Sequence, residues 1–313
     1  MSNQIQNPNV KKILDTIIYY DILDYPMTSF EIWKYLINDQ KTSNKEQYEK
    51  IKLVDIIKEL ENEELRKKIE EYRGYYFLKG RKKLVEQRIE RNKIAEKKFK
   101  KVRKIVKVLR FVPFVRMIAV TGRLAMKNTD KSSDLDLLVV LKHGHIFTGR
   151  TLVTLVTHLL GVRRYGQKIS NRVCLNFFIT DRSLKINLKD LFSSSEYYFI
   201  WPLYGYKTFK RFQEANSWIE DFRENYILEK NANLKLIREN FGARVIREIG
   251  EMIFSFQFIE NWLRDWQMRR IMNDSRTHIM GSMVMADDNA LIFLPEPQGP
   301  GVFEKFREKM KAV

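Results

Sequence analysis

The feature that most constrains this chain is a pair of aspartates, Asp134 and Asp136, at the start of an apolar run. The run reads Ser-Asp-Leu-Asp-Leu-Leu-Val-Val-Leu from 133 to 141 and predicts a buried β-strand over 134–141. Because side chains alternate between the two faces of a strand, the two carboxylates project from the same face. They can therefore share a divalent cation, and their oxygen ligands suit Mg²⁺ or Mn²⁺.

A glycine turn precedes this strand by about a dozen residues. The apolar run 115–120 predicts a strand, and a glycine turn and a short helical stretch follow it directly. Glycine permits a tight turn, and the free amide groups at the start of a helix bind phosphate. We therefore expect a nucleotide- or phosphate-binding site beside the carboxylates, formed by Thr121, Gly122, Arg123 and Ser133.

With these motifs in place, the stretch from about 111 to 181 resembles the DNA polymerase beta-like nucleotidyltransferase superfamily. That superfamily has Gly-Ser, a spacer, Asp-x-Asp and a third acid on a neighbouring strand, and Gly122, Asp134 and Asp136 match its pattern. The resemblance implies a nucleoside triphosphate (NTP) as substrate and Mg²⁺ or Mn²⁺ as cofactor. The wider layout of this chain is similar to that of prokaryotic proteins that join such a domain to an N-terminal winged helix.

Two residues depart from the family pattern. Arg123 stands where the family has serine, and it could either contact phosphate directly or fill the pocket. Asn176, in the predicted strand 173–180, stands where the family has its third acid. An amide oxygen can ligate a cation, but it supplies no negative charge and cannot act as a general base. The catalytic set implied by the resemblance is therefore Asp134, Asp136 and Asn176.

Three functions follow as hypotheses. The leading one is Mg²⁺-dependent transfer of a nucleoside monophosphate from an NTP to a hydroxyl acceptor, with RNA favoured. The second is a catalytically degenerate nucleotidyltransferase that binds nucleotide or RNA. The third is a winged-helix regulator that binds DNA.

Charge and composition bear on the partner. The chain has 313 residues, a net charge of +18 and a sequence pI near 9.7, which favours nucleic acid as a partner over an anionic membrane. Between Arg81 and Arg110 fourteen basic residues stand against three glutamates, with apolar residues at helical spacing. A single cysteine, Cys174, in an apolar run predicts a core thiol and a cytoplasmic protein. No apolar run reaches the ~20 residues of a membrane span.

The predicted fold class is α+β in four segments. Residues 1–80 form a winged-helix-like domain with a Thr28–Glu31 capping box, a third helix over 46–62 and a hairpin around Gly74. That third helix is acid-rich, which favours a packing role over insertion into a DNA groove. Residues 81–112 form a basic linker helix, and 113–184 form the mixed-sheet nucleotidyltransferase core with a helix over 146–160. Residues 185–313 are mainly helical, with a strand pair around Asp288-Asn289.

Overall fold

The computed structural model describes residues 7–38, 50–228 and 235–312. Within those ranges the protein is α+β, as predicted, with a six-stranded mixed sheet and a separate two-stranded antiparallel sheet. The strands are β1 (Ile69–Tyr72), β2 (Tyr75–Leu78), β3 (Val115–Val120), β4 (Leu135–Leu141), β5 (Val173–Thr180), β6 (Trp201–Tyr204), β7 (Met283–Ala286) and β8 (Ala290–Leu294). The helices are α1 (Pro8–Ile22), α2 (Ser29–Lys34), α3 (Leu53–Glu59), α4 (Glu63–Arg66), α5 (Lys83–Leu109), α6 (Gly122–Ala125), α7 (Ile146–Leu159), α8 (Leu191–Tyr198), α9 (Tyr206–Ala215), α10 (Phe241–Phe254), α11 (Gln257–Met272) and α12 (Gln298–Ala312).

The six-stranded sheet has the order β6-β3-β4-β5-β8-β7. β4 and β5 pair in parallel, and the other neighbouring strands pair in antiparallel. The chain crosses from β4 to β5 through α7, because a parallel pair requires a long connection. β4 is buried on both faces: Leu137 and Val139 pack in one apolar cluster, and Leu138 and Val140 pack in another. A strand with two buried faces reads as a continuous apolar run, which is why the sequence reveals it.

The predicted strands 115–120, 134–141 and 173–180 and the helix over 146–160 are present, with bounds that agree within a residue. Within 185–313, predicted as mainly helical with one strand pair, the structure has an unpredicted strand, β6, which pairs with β3 at the edge of the sheet. Four residues that include Pro202 carry no strand periodicity, so pairing with β3 decides their conformation. The strand pair around Asp288-Asn289 is present as β7 and β8, and β8 extends the sheet beyond β5.

The N-terminal elements run from α1 to the β1–β2 hairpin. The Thr28–Glu31 capping box is confirmed, with Glu31 N donating to Thr28 Oγ1 at 3.3 Å and Thr28 N donating to Glu31 Oε2 at 3.0 Å. The third helix is shorter than predicted, because α3 ends at Glu59 and the Asn62 side chain caps the separate α4 at Glu64 N. Residues 46–49 of that prediction lie outside the described residues.

The basic segment forms one long helix, α5, as predicted. Its apolar stripe is buried, while Lys97, Lys100, Lys101 and Arg103 are exposed. Lys98 is an exception among the lysines, because it is buried and its amine donates to the Ser133 carbonyl at 2.5 Å. The helix is thereby attached to the loop that leads into β4. No helix in the described ranges combines the length and the apolar character that crossing a bilayer requires.

Candidate active site

Every residue that the sequence predicted for the site lines one cleft of about 880 Å³. We call it the carboxylate cleft. It lies where β4 and β5 begin, between α6 on one side and α8 and the β7–β8 pair on the other. Its wall includes Thr121, Gly122, Arg123, Ser133, Asp134, Asp136 and Asn176, together with Arg164, Lys185, Asp190 and Glu196.

Asp134 and Asp136 lie together at the start of β4. One ligand atom from each of them and the Cys174 sulfur all lie within 4.8 Å of one another. Burial, followed by the charge of Asp134, raises the pKa of Asp136 to about 7. The buried Asp136 carboxyl group is therefore only partly ionised at neutral pH.

Gly122 is packed directly against Asp136. It has φ +63°, and a β-carbon built on it would lie 2.9 Å from Asp136 Oδ2. The amide of Thr121 donates to the Asp136 carbonyl at 3.2 Å, which fixes the two strand ends side by side. The glycine therefore provides room for the carboxylate as well as a turn. The helix that follows, α6, is a single turn, so it aligns fewer peptide groups toward a phosphate than a long helix would.

Arg123 and Ser133 are bonded within the loop that precedes β4. Arg123 Nε donates to the Asn128 carbonyl at 3.2 Å, and its Nη1 lies 4.0 Å from Asp130 Oδ2. The Ser133 hydroxyl and amide both donate to Asp130 Oδ1 at 2.9 Å. Both side chains therefore order the rim of the carboxylate cleft, and a contact with phosphate remains a prediction.

A shift in register between β4 and β5 determines which residue of β5 lies beside Asp136. Asp136 pairs with Cys174 and Leu138 pairs with Phe177, so Leu175 and Asn176 together face a single residue of β4. This is a β-bulge, which resets the alternation of side chains. Cys174 is the neighbour of Asp136 in register, while Asn176 still lines the cleft.

The Cys174 thiol is held in its neutral form. Burial, followed by the charges of Asp136 and Asp134, raises its pKa to about 12. A protonated thiol is a poor nucleophile, and the sequence predicted a core thiol, whereas the side chain is half-buried beside Asp134 and Asp136.

Arg164 supplies the nearest positive charge. Its Nη1 lies 2.5 Å from Asp134 Oδ2 and 3.7 Å from Cys174 Sγ. It belongs to the basic loop 163–168 that follows α7. The guanidinium therefore lies at the carboxylate pair, in the place where a cation would be expected.

A third carboxylate comes from α8. Burial, followed by the charges of Asp136 and Asp190, raises the pKa of Glu196 to about 7. Among the described residues no lysine, arginine or histidine lies within ion-pair distance of it. Sequence reasoning missed Glu196 because the search for a third acid was confined to the strands. The available signal was one acid among the serines and aromatic residues of 191–198.

The donor set fits a hard divalent cation. Asp134 and Asp136 offer oxygen ligands within reach of one ion, and a bound cation would favour the ionised form of the buried Asp136 carboxyl group. The chain has one cysteine, and the thiol beside the pair is protonated, so a zinc site built on thiolates does not fit. Mg²⁺ or Mn²⁺ remains the ion that these residues suit.

Comparison of the chain with protein-family models, curated proteins and solved structures found no match.

Proposed function

We propose that the protein is a nucleotidyltransferase that moves a nucleoside monophosphate from an NTP to a hydroxyl acceptor. The observation that supports this most is the packing of Gly122 on Asp136 in a cleft that also holds Asp134 and Glu196. A glycine turn, two carboxylates at the start of one strand and a third carboxylate nearby suit metal-assisted transfer of a phosphoryl group.

Asp134 and Asp136 would hold Mg²⁺ or Mn²⁺. When bound, the ion would balance charge on the triphosphate and lower the pKa of the attacking hydroxyl. Gly122 keeps the Asp136 carboxylate close to the turn, because any side chain there would displace Oδ2. The amides of Gly122 and Arg123 begin α6 and so have no acceptor within the helix. They are the groups that we assign to the terminal phosphates.

Glu196 is our candidate for the group that takes the proton from the acceptor hydroxyl. A carboxyl group with a pKa near 7 is partly ionised at neutral pH and can accept a proton there. This role cannot fall to the amide of Asn176. Asn176 remains a candidate contact for the substrate, since it lines the same cleft.

RNA is the acceptor we propose. The exposed basic face of α5 offers a contact for a phosphate backbone, and the Lys98–Ser133 hydrogen bond joins this helix to the cleft. The net charge of +18 would draw a polyanion to the protein.

A catalytically degenerate nucleotide-binding protein is the second candidate. The observation that favours it is the Arg164 guanidinium, which sits on Asp134 and beside Cys174. In this position the arginine competes with a divalent ion for the carboxylate of Asp134. This candidate predicts nucleotide binding without turnover.

The test is to incubate the full-length protein with each α-labelled NTP, Mg²⁺ or Mn²⁺, and total cellular RNA. The labelled base and the labelled species are then read on a gel. We expect incorporation by the wild type and its loss in Asp136→Asn, a substitution that keeps the size of the side chain. Asp288→Asn is the matched control, because Asp288 is exposed and pairs only with Arg264 among the described residues.

Incorporation that is equal in Asp136→Asn and the wild type would overturn the proposal. Nucleotide binding by the wild type, with no incorporation under any of these conditions, would support the degenerate protein instead.

A further inference from the structure

The helix α10 is amphipathic, but its polar side faces the protein and its apolar side faces solvent. This is the opposite of an ordinary surface helix. Its inner side is polar: Arg247 pairs with Glu239 and with the Tyr204 hydroxyl, and Glu251 receives two hydrogen bonds from Arg116, at 2.7 and 2.9 Å. The outer side is apolar and exposed, with Phe241, Ile246, Ile249, Met252 and Ile253 at helical spacing. An isolated soluble chain is expected to bury such a stripe and to expose the charges.

The next helix, α11, also exposes large apolar residues on its outer side. Its inner side packs on α7, where the Glu260 carboxylate accepts from the amides of Phe147 and Thr148 at 2.9 Å and Gln267 bonds to the Phe147 carbonyl. Its outer side exposes Phe258, Trp262 and Trp266 at four-residue steps. The ring of Phe256, in the two-residue link between α10 and α11, lies 5.8 Å from the ring of Phe258. The exposed apolar residues of the two helices and of this link lie on consecutive segments of the chain. We call this combined surface the α10–α11 face.

The exposed side-chain fractions and the apolar area of the α10–α11 face match those of a protein–protein interface. Phe241 is 81% exposed, Met252 is 74% exposed and Trp262 is 67% exposed. Since large side chains offer about 150–250 Å² each, the exposed residues of this face present roughly 1,000 Å² of apolar surface. A stable interface needs about 800 Å² from each partner. A patch of this size on a soluble chain marks a binding surface.

The composition of the face points to a protein partner. No lysine stands between Lys235 and Lys305, although lysine is abundant elsewhere in this chain. The segment is instead rich in tryptophan, phenylalanine, methionine and arginine. Protein interfaces are enriched in these residues and depleted of lysine.

The chain itself offers little that could cover the face. Outside the described ranges, the large apolar residues are few: Met1, Ile5, Tyr48, Leu234 and Val313.

We infer that the α10–α11 face binds a second copy of this chain. Its exposed rim carries both signs of charge, with Glu248 and Asp265 beside Arg244 and Arg269. In a two-fold symmetric pair the same surface of both copies meets, so a rim that carries both signs of charge allows an acid of one copy to face an arginine of the other. The apolar centre supplies the affinity, and the rim sets the register. The inference is independent of the proposed function.

The test is the mass of the full-length protein in solution, measured by sedimentation over a wide concentration range. We expect a species of twice the 37.6 kDa chain mass. Each symmetric interface contains the altered residue twice, so Ile249→Glu should weaken the dimer by about 100-fold or more. Added sodium chloride should strengthen it, because each copy carries a charge of +18 and salt screens their repulsion.

Ile57→Glu is the matched control, since Ile57 and Ile249 are both 51% exposed. It should leave the dimer intact, and circular dichroism should show that both variants are folded. A wild type that stays monomeric overturns the inference, and so does a dimer that survives Ile249→Glu or dissociates on addition of salt. A monomer that binds vesicles of anionic phospholipid through Trp262 would assign the face to a membrane instead.

Discussion

Gly122 and Asp136 are in such close contact that a β-carbon at Gly122 would lie 2.9 Å from the Asp136 Oδ2 atom. The atom that it meets is the end of a side chain, so the cheapest response to a larger residue is rotation of the carboxylate. The contact therefore ties the conformation of the glycine turn to the position of a proposed cation ligand.

Gly122→Ala should weaken cation binding more than it weakens the fold. The positive φ of +63° costs an alanine about 1–2 kcal/mol of stability, and the contact with Oδ2 displaces the carboxylate as well. Gly161→Ala is the control, because Gly161 has the same φ and no atom within 4 Å of a built β-carbon. Both variants should lose similar stability in denaturant titrations, while only Gly122→Ala should need more Mg²⁺ for a given thermal shift. Equal Mg²⁺ responses would contradict the assignment of this contact.

Stability should depend on pH through the buried carboxyl groups. Asp136 and Glu196 each have a pKa raised to about 7, above the value near 4 of an unfolded chain. Between those values the folded state holds protons that the unfolded state has released, so their contribution to the free energy of unfolding falls as pH rises from about 4 to 7. Mg²⁺ should reverse that loss above pH 7, because it favours the ionised form of its ligands.

Asp136→Asn removes one of the two groups, and it should raise the melting temperature of the metal-free protein at pH 8 relative to the wild type. The difference should shrink toward pH 5, as followed by differential scanning fluorimetry. Asp288→Asn should show no such trend. A gap between Asp136→Asn and the wild type that stays constant with pH would show that the Asp136 pKa is not raised.

Arg164 should compete with the cation. Its guanidinium lies 2.5 Å from Asp134 Oδ2, so Arg164→Gln removes a positive charge from the proposed ion site. We expect half-maximal binding at a lower Mg²⁺ concentration, measured by calorimetry in the absence of nucleotide. Lys168→Gln, in the same loop, should change nothing, because that amine contacts Tyr165. Weaker binding of Mg²⁺ in Arg164→Gln would mean that the arginine supports the site.

The roles of Glu196 and Asn176 can be distinguished by two substitutions. One removes the carboxylate at 196, and the other adds a carboxylate at 176. If Glu196 accepts the proton, Glu196→Gln should lower kcat by about 10²–10⁴-fold with little change in KM for the NTP. Asn176→Asp should then give no gain, because it adds a like charge to an acidic cleft. If Asn176→Asp raises kcat and Glu196→Gln leaves kcat unchanged, the result would show instead that a missing acid on β5 limits the enzyme.

The sequence was sufficient to predict features that lie within a single secondary-structure element. β4 is predictable because both of its faces are buried, and its apolar run is therefore continuous. The proximity of Asp134 and Asp136 follows from their spacing on that strand. The glycine turn follows from Gly122 itself.

The features that depend on contacts between distant segments could not be predicted from the sequence. The bulge at Leu175–Asn176 changes which β5 residue meets Asp136, and no periodicity reveals a bulge. Glu196 enters the carboxylate cleft from α8, whose place depends on how the chain returns to the sheet at β6. Arg164 reaches Asp134 from a loop, where spacing carries no directional information.

The most direct measurement of the central claim compares two labels on the same NTP. The full-length protein is incubated with Mg²⁺, RNA and the NTP labelled at either the α- or the γ-phosphate. Nucleotidyl transfer predicts that the α-label enters the acceptor, that the γ-label leaves as pyrophosphate, and that Asp136→Asn abolishes both events. Transfer of the γ-label to the acceptor, or α-label incorporation that persists in Asp136→Asn, would contradict the account.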